Sequence, residues 1–274
     1  MRATDCKDCG QPAFLLERPA RPGGESLRRP PQSGQGWRDM RIACVWEHNG
    51  EDSLLYAENL IGAFTRGESR EIALRKMEGE ARSYLRWRGE PVQTSCEIVI
   101  VQEKSSGLAV CDADSDVLFE TEKAPLDAAE YYGLKKLALR SARDFLALYE
   151  AIPDKGESCL AERETFYGKR PRTAEEMYAH TKNVNSYYFG EIGVAADCDG
   201  TIFASRSRGF ESLEQHEDFL ANRVYSGSYG EEWTLRKVLR RFLWHDRIHA
   251  KAMYRMAIQT FGRESVPNVY QFHE

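Results

Sequence analysis

Pro125 divides the sequence into two parts whose hydrophobic patterns differ. Between residue 41 and this proline, short segments rich in β-branched and aromatic residues alternate with turns and one amphipathic stretch. Beyond it, apolar residues recur every three or four positions over long segments, which is the period of an α-helix with one buried face. The sequence therefore predicts an α+β protein, with a small sheet-plus-helix domain at 40–124 followed by an up-down four-helix bundle at 125–274.

Residues 1–39 show no sustained apolar periodicity and contain half of the chain's 10 prolines, which predicts a flexible extension. Met40 stands directly before the first predicted strand and is an alternative natural start. Cys6 and Cys9 form a CxxC motif, but without a second pair this spacing is weak evidence for zinc. The cysteines are irregularly spaced, which is typical of a protein from a reducing compartment.

The residue pattern of the N-terminal domain predicts strands at 41–46, 53–60 and 96–102, the last of them mostly buried. A helix is predicted between the second and third strands, with Gly67 in the preceding turn and Ser69 as its N-cap. The apolar residues of this helix recur at helical spacing and predict one face packed on the sheet: Ala73, Met77, Ala81, Tyr84 and Leu85.

An Asp-rich run at 112–116 is predicted to be a solvated turn between two further strands, at 107–111 and 117–121. The run resembles a calcium loop only in composition. An EF-hand loop needs a Gly at its sixth position, a Glu at its twelfth and a helix on each side. A calcium site is therefore not expected here.

The segments after Pro125 predict four helices, at 126–151, 173–189, 212–225 and 231–261. In the second helix, Thr173 and Glu176 have the spacing of a capping box, and the fourth helix is followed by Gly262, a residue that commonly ends a helix. Bundles of four helices commonly build cofactor and metal sites from side chains that point into the core.

The longest predicted helix carries two histidines in its apolar stripe. The stripe consists of residues spaced by three or four: Val238, Phe242, His245, His249, Ala252 and Met256. His245 and His249 are four residues apart, so both imidazoles lie on one helical face, as in the HExxH helices that bind zinc. The glutamate of that motif is missing between them, which argues against peptide hydrolysis by the same mechanism.

His180 lies on the apolar stripe of the second predicted helix, with Met177, Val184, Tyr187 and Glu191. Together with the two histidines of the fourth helix, it completes a set of three imidazoles. Three such ligands leave coordination positions open, as in a catalytic rather than a structural metal site. The alternative is a group of hydrogen-bonded core histidines, since an HxxxH spacing also occurs by chance. The remaining histidines are predicted in a turn, on a solvated face and in the tail: His48, His216 and His273.

Three short segments of the C-terminal region form a pattern: MYAH at 177–180, LWHDRIH at 243–249 and NVYQF at 268–272. With them, the region 126–272 resembles the DinB-like four-helix metalloenzymes, a superfamily that includes thiol-dependent S-transferases. The resemblance implies one divalent ion, zinc, nickel or iron, that activates a low-molecular-weight thiol as co-substrate. The implied ligands are His180, His245 and His249. Four residues near them in sequence either line the pocket or serve only packing and the surface: Asn183, Tyr187, Tyr188 and Arg247.

The segment LIGAFTRGES at 60–69, followed by a helix with Ala73, is similar to HicB-like antitoxin domains. The similarity covers about 40–89 and implies a sheet-plus-helix module used for protein contacts or oligomerisation. No DNA-binding segment accompanies it, so an antitoxin function is not expected. The alternative is a module that only caps the bundle.

The composition narrows the partners that the chain is expected to have. A formal net charge of -5 and scattered basic residues argue against nucleic acid. No apolar run approaches the roughly 20 residues of a membrane span, so the sequence predicts a cytoplasmic protein. The expected function is that of a metal-dependent transferase or hydrolase with a small-molecule substrate, in a chain that can form a homodimer. The alternative is a non-catalytic binding or regulatory protein that acts through the HicB-like module.

Overall fold

The computed structural model describes residues 40–92, 95–165 and 168–273. The predicted extension at 1–39, with its CxxC motif, lies outside these ranges. Within them the α+β class is confirmed, because a four-stranded mixed sheet with one helix is followed by a region of four α-helices. The main elements are β1 (Met40–Asn49), β2 (Asp52–Ala57), β3 (Phe64–Gly67), α1 (Arg70–Arg88), β4 (Cys96–Ser105), α2 (Ala128–Ala151), α3 (Ala174–Gly190), α4 (Ile202–Leu213) and α5 (Leu235–Phe261).

The sheet has the strand order β3-β2-β1-β4, in which β2 is antiparallel to both of its neighbours and β4 is parallel to β1. The short strand β3 was not predicted, because its residues lie within a segment whose glycines indicate turns. The third predicted strand was expected to be mostly buried, and this was wrong. That strand is β4, which lies at the edge of the sheet and has no fully buried residue.

Helix α1 begins and packs as the sequence predicts. The side chain of Ser69 accepts a hydrogen bond from the main-chain N–H of Ile72, and the helix ends at Gly89 in the left-handed region. The predicted apolar face is buried against the sheet. The connection from β2 to β3 approaches α5 closely at Gly62, where an added Cβ would lie 2.7 Å from the Cβ of Leu243.

The segment 106–127, described throughout, contains no strand, so the predicted pair at 107–111 and 117–121 was wrong. Ser115 is buried, so the Asp-rich run is not the predicted solvated turn either. Three consecutive main-chain carbonyls in this segment accept hydrogen bonds from cations of α5 rather than from a neighbouring strand. The donors and acceptors are Arg241 to Ser115, Lys237 to Asp116 at 2.9 Å, and Arg240 to Val117 at 2.8 Å. We name residues 113–117 the anchored loop.

The third predicted helix, at 212–225, was also wrong. The observed helix in this region is α4, which begins ten residues earlier. Thr201 caps the N-terminus of α4 by accepting a hydrogen bond from Ala204 N–H. The segment 212–225 itself holds the end of α4, then a single 3-10 turn between Asp218 and Asn222, both with positive φ. The sequence signal failed because the buried face of α4 includes a charged residue, Arg206, where an apolar one is expected.

The four helices after α1 pack in a ring, in which α5 and α4 each contact both α2 and α3. The predicted capping box of α3 is confirmed, and α5 is capped by Thr234 and followed by Gly262. The hydrophobic core is continuous between the sheet-plus-helix part and the helical region. It joins Met77 and Tyr84 of α1 to Leu243 and Met253 of α5. Every helix in the described part of the chain is too short or too polar to span a lipid bilayer.

Candidate metal centre

Three imidazoles meet where α3 packs on α5. His180 lies in the second turn of α3, and His245 and His249 lie one turn apart in α5. One possible ligand nitrogen from each ring lies within 4.8 Å of the other two. The structure thus brings together the three histidines that the sequence singles out.

The distances fit a shared metal ion. Two nitrogen ligands bound about 2.0–2.1 Å from a tetrahedral zinc ion lie about 3.3 Å from each other. The Nε2 atoms of His180 and His245 are 3.3 Å apart. The Nδ1 atom of His245 is buried and has no hydrogen-bond partner among the described residues, so the contact between the two Nε2 atoms is the hydrogen bond that the structure gives this ring. Imidazole donors suit zinc, nickel and iron.

The environment favours the neutral form of each ring, whose lone pair can bind a metal ion. Burial lowers the pKa of His180, and it lowers the pKa of His245 and His249 well below the ordinary value. Mutual repulsion between protonated rings acts in the same direction for His245 and His249. At neutral pH the site therefore presents three uncharged nitrogen donors.

The three histidines lie in the wall of a cavity of about 730 Å³. The helices α3 and α5 form one side, and the anchored loop forms another. The residues that line the cavity besides the histidines are Arg66, Leu108, Ala113, Asp114, Ser115, Asp116, Arg170, Pro171, Tyr187, Tyr188, Tyr229, Glu231, Arg241, Trp244, Ile248 and Ala252. A cavity of this size accommodates a drug-sized molecule.

Aromatic rings hold the histidine-bearing faces of the two helices in place. The ring of Tyr188 on α3 lies 5.3 Å from that of Phe242 and 6.0 Å from that of His245 on α5. On the other side, Trp244 packs edge-on against Tyr56 and Phe64 of the sheet. The sheet and the helical region therefore both fix the position of the histidine-bearing side of α5.

Arginines of the cavity wall act on the electrostatics of the histidines. The guanidinium groups of Arg66 and Arg170 contribute to the lowered pKa of His249, and Arg241 contributes to that of His245. Since all three candidate ligands are neutral, a divalent ion here would add its full charge to that of the arginines. The cavity wall also carries the carboxylates of Asp114, Asp116 and Glu231, of which Glu231 pairs with Arg241 at 2.5 Å, so the wall presents charges of both signs to a ligand.

Two buried hydrogen bonds connect Ser115 of the anchored loop to Tyr56 and Glu47 of the sheet. The hydroxyl of Tyr56 donates to Ser115 Oγ at 2.7 Å, and Ser115 Oγ donates to Glu47 Oε2 at 2.5 Å. Burial raises the pKa of Glu47 above its ordinary value, despite the hydrogen bonds that this carboxyl accepts. These hydrogen bonds were not predicted, because their members are far apart in sequence and Glu47 lies in a strand.

The residues predicted from their closeness to the ligands divide into two groups. Tyr187 and Tyr188 line the cavity, whereas Asn183 and Arg247 do not. Arg247 is neither in the pocket nor on the surface, because it is buried and its Nε donates to Glu80 Oε1 of α1 at 2.5 Å. Glu191 also lies outside the cavity wall, and its carboxylate accepts a hydrogen bond from the main chain of residue 228.

Two other groups of predicted residues can be compared with the structure. His216 and His273 are exposed, and His48 lies beside the turn at Gly50, as the sequence predicts. The cavity residues Arg66 and Arg170 were not predicted, because nothing in the sequence relates them to the histidines.

Comparisons of the chain with protein-family models, with curated proteins and with solved structures found no match.

Proposed function

We propose that the protein is a metal-dependent enzyme of the DinB-like superfamily. In this proposal His180, His245 and His249 hold one divalent ion, zinc, nickel or iron, at the wall of a substrate cavity. The observation that carries it is the meeting of three neutral imidazole donors from two helices within 4.8 Å of one another. The arrangement also agrees with the sequence pattern, since the ligands come from the second and fourth helices of the C-terminal region.

The bound ion would supply Lewis acidity, which lowers the pKa of a coordinated thiol or water to near neutrality. The side chains of the cavity would bind and orient the substrate, with Tyr187, Tyr188 and Trp244 as apolar surfaces. We propose transfer of a low-molecular-weight thiol as the reaction. Its sulfur forms a bond to an electrophilic carbon, the leaving group departs with its electron pair, and the thiol proton passes to solvent.

Peptide hydrolysis of the HExxH type is not supported. The carboxylate between the two histidines of α5, that of Asp246, is fully buried in a bidentate ion pair with Arg206. It therefore has no access to a substrate, and no glutamate occupies the position of a general base in this motif. Hydrolysis by metal-activated water without such a base remains within the proposed class.

The test is the metal content of the purified protein. We expect inductively coupled plasma mass spectrometry to find about one equivalent of zinc, nickel or iron in protein prepared without chelators or a polyhistidine tag. The variants His180→Ala and His245→Ala should lose it, while the matched control His216→Ala, at an exposed position, should keep it. A folded parent that holds no metal after reconstitution would overturn the proposal.

A second candidate function is that of a non-catalytic binding protein that acts through the HicB-like module. The observation that favours it is the edge strand β4, whose outer edge has no strand partner among the described residues. Such an edge can pair with a second copy of the chain. Light scattering after size exclusion tests this, because a dimer that Val99→Pro converts to a monomer supports pairing through β4, whereas a monomeric parent contradicts it.

A further inference from the structure

A second cavity, of about 650 Å³, opens beside the cavity that the three histidines line, which we name the metal cavity. The two share four lining residues: Arg66, Arg170, Ile248 and Ala252. The second cavity follows α5 away from His249 and is closed on its other side by α1. We name it the basic groove.

The basic groove is strongly cationic. Its lining includes six arginines and lysines, Arg66, Arg75, Lys76, Arg170, Lys251 and Arg255, together with His273. Glu80 provides the one carboxylate among the described lining residues, and two cations balance its charge. Glu80 Oε1 lies 2.5 Å from Arg247 Nε, and Oε2 lies 3.1 Å from Lys251 Nζ. The ion pairs with these two cations hold the pKa of Glu80 below its ordinary value, although burial opposes them.

Four cations of the groove, all of them solvent-exposed, form no ion pair within 4 Å of a carboxylate in the described ranges: Arg75, Lys76, Arg170 and Arg255. The ammonium of Lys76 donates to the main-chain oxygen of Arg66 at 2.9 Å, a contact that leaves its charge unbalanced. Like charges gathered in one concave surface repel one another, and a bound anion removes this repulsion. The number of unbalanced cations suits a ligand with two or more negative charges.

The groove also has the position and the apolar floor of a substrate site. Phe64, Leu160 and Met256 lie among the cations and provide apolar surface for a carbon skeleton. Arg255 follows His249 by six residues on α5, which is about 9 Å along the helix axis. A molecule whose reacting group lies at the histidines can therefore place charged groups among these cations.

We infer that the basic groove binds the part of the substrate that carries two or more carboxylate or phosphate groups, while the reacting part lies in the metal cavity. The placement of the reacting part rests on the proposed function. The anion site itself rests on the groove alone. Ligands of both classes, polycarboxylates and polyphosphates, are small molecules with several anionic groups.

The test is the binding of naphthalene-1,3,6-trisulfonate to the full chain, measured by isothermal titration calorimetry. Sulfonates are poor ligands for zinc and nickel, so this probe reports on the groove and not on the metal. We expect the combined variant Lys76→Glu, Arg255→Glu to weaken binding by at least about tenfold, since two attractive charges become repulsive. The matched control is Lys136→Glu with Arg86→Glu, which changes the net charge equally at exposed positions outside the groove.

Competition identifies the anion. Displacement of the probe by propane-1,2,3-tricarboxylate or by a sugar bisphosphate supports the inference and assigns the carboxylate or the phosphate class. Failure of the trisulfonate to bind the folded parent overturns it. Equal weakening by the groove variant and the control variant also overturns it, because the effect is then one of net charge only. Circular dichroism of each variant establishes that it is folded.

The same experiment separates this inference from the proposed function. We expect His245→Ala to lose the metal and to keep its affinity for the trisulfonate within about twofold. A parent that binds the trisulfonate but no metal leaves the anion site intact and removes the proposed enzyme. A parent that binds metal but no trisulfonate removes the anion site alone.

Discussion

Arg206 of α4 and Asp246 of α5 form a bidentate ion pair with no solvent exposure. Removal of one partner leaves the other charge buried without compensation. We expect Arg206→Met to lower the free energy of unfolding by about 3–5 kcal/mol. Urea unfolding followed by circular dichroism measures this.

Helix α4 also contains a control residue for Arg206→Met. Arg208 pairs with Asp197 at 2.5 Å, but both side chains are more than 40% exposed. We expect Arg208→Met to lower the free energy of unfolding far less than Arg206→Met does, because solvent screens this pair. Similar losses in the two variants would mean that burial does not determine the contribution of the α4 arginines.

The carboxyl of Glu47 gives a prediction of pH dependence. Since its pKa is raised in the native state, mainly by burial, the native state keeps a proton at pH values where the unfolded chain has lost it. The stability that this proton provides is complete below the unfolded pKa and falls as pH rises through the native one. We expect Glu47→Gln, which is neutral throughout, to gain stability relative to the parent between about pH 5 and about pH 8.

Urea unfolding of the parent and the variant at both pH values tests this prediction. The exposed residue Glu51, changed to Gln, is the control for an altered net charge. A stability difference between Glu47→Gln and the parent that is the same at both pH values would contradict a raised pKa in the native state.

At the scale of single residues, the sequence predicted the group of His180, His245 and His249 and the helix caps Ser69 and Thr173, because each of these residues is marked by spacing within its own helix. It did not predict the buried cations of α4 and α5. A sequence pattern places arginine and lysine in solvent, whereas Arg206 and Lys237 are fully buried by partners from distant segments.

At the scale of the helices, a capping box stabilises the first turn of α3. The hydroxyl of Thr173 accepts a hydrogen bond from the main-chain N–H of Glu176, whose carboxylate accepts one from the main-chain N–H of Thr173. We expect Thr173→Ala to cost about 1 kcal/mol in the free energy of unfolding. Thr173→Ser, which keeps the hydroxyl, should cost much less. Urea unfolding of both variants measures the difference, and equal losses would show that the hydroxyl is not the stabilising group.

Two of the elements that the sequence failed to predict share a physical cause. The segment that follows β4 is held by side chains from α5, and α4 buries an arginine in place of an apolar residue. Both arrangements depend on partners far away in sequence. Elements whose stability is local, such as α1, α3 and the hairpin of β1 and β2, were predicted with their approximate bounds.

At the scale of the whole molecule, the contact at Gly62 joins the sheet part to α5. This residue has φ of 105°, which L side chains rarely adopt, and its Cα faces Leu243. We expect Gly62→Ala to cost about 2–4 kcal/mol, from the backbone conformation and from the clash. Gly133→Ala is the control, because this helical glycine has open space around it and should gain up to about 1 kcal/mol.

The continuous core predicts that Gly62→Ala unfolds in a single transition. Tryptophan fluorescence and far-ultraviolet circular dichroism should give the same midpoint in urea, because the sheet and the helices share buried residues. Two separate transitions would contradict this coupling. The boundary between residues 124 and 125 stays a prediction about chain organisation.

The anchored loop is held through its main-chain carbonyls, so its attachment to α5 does not depend on the side chains at Ala113 and Asp114. Those side chains face the cavity, while the histidines lie on other segments of the chain. Substitutions in the loop can therefore alter the shape and charge of the cavity without altering the metal ligands. The lining of the cavity and the three histidines can therefore vary independently of each other in sequence.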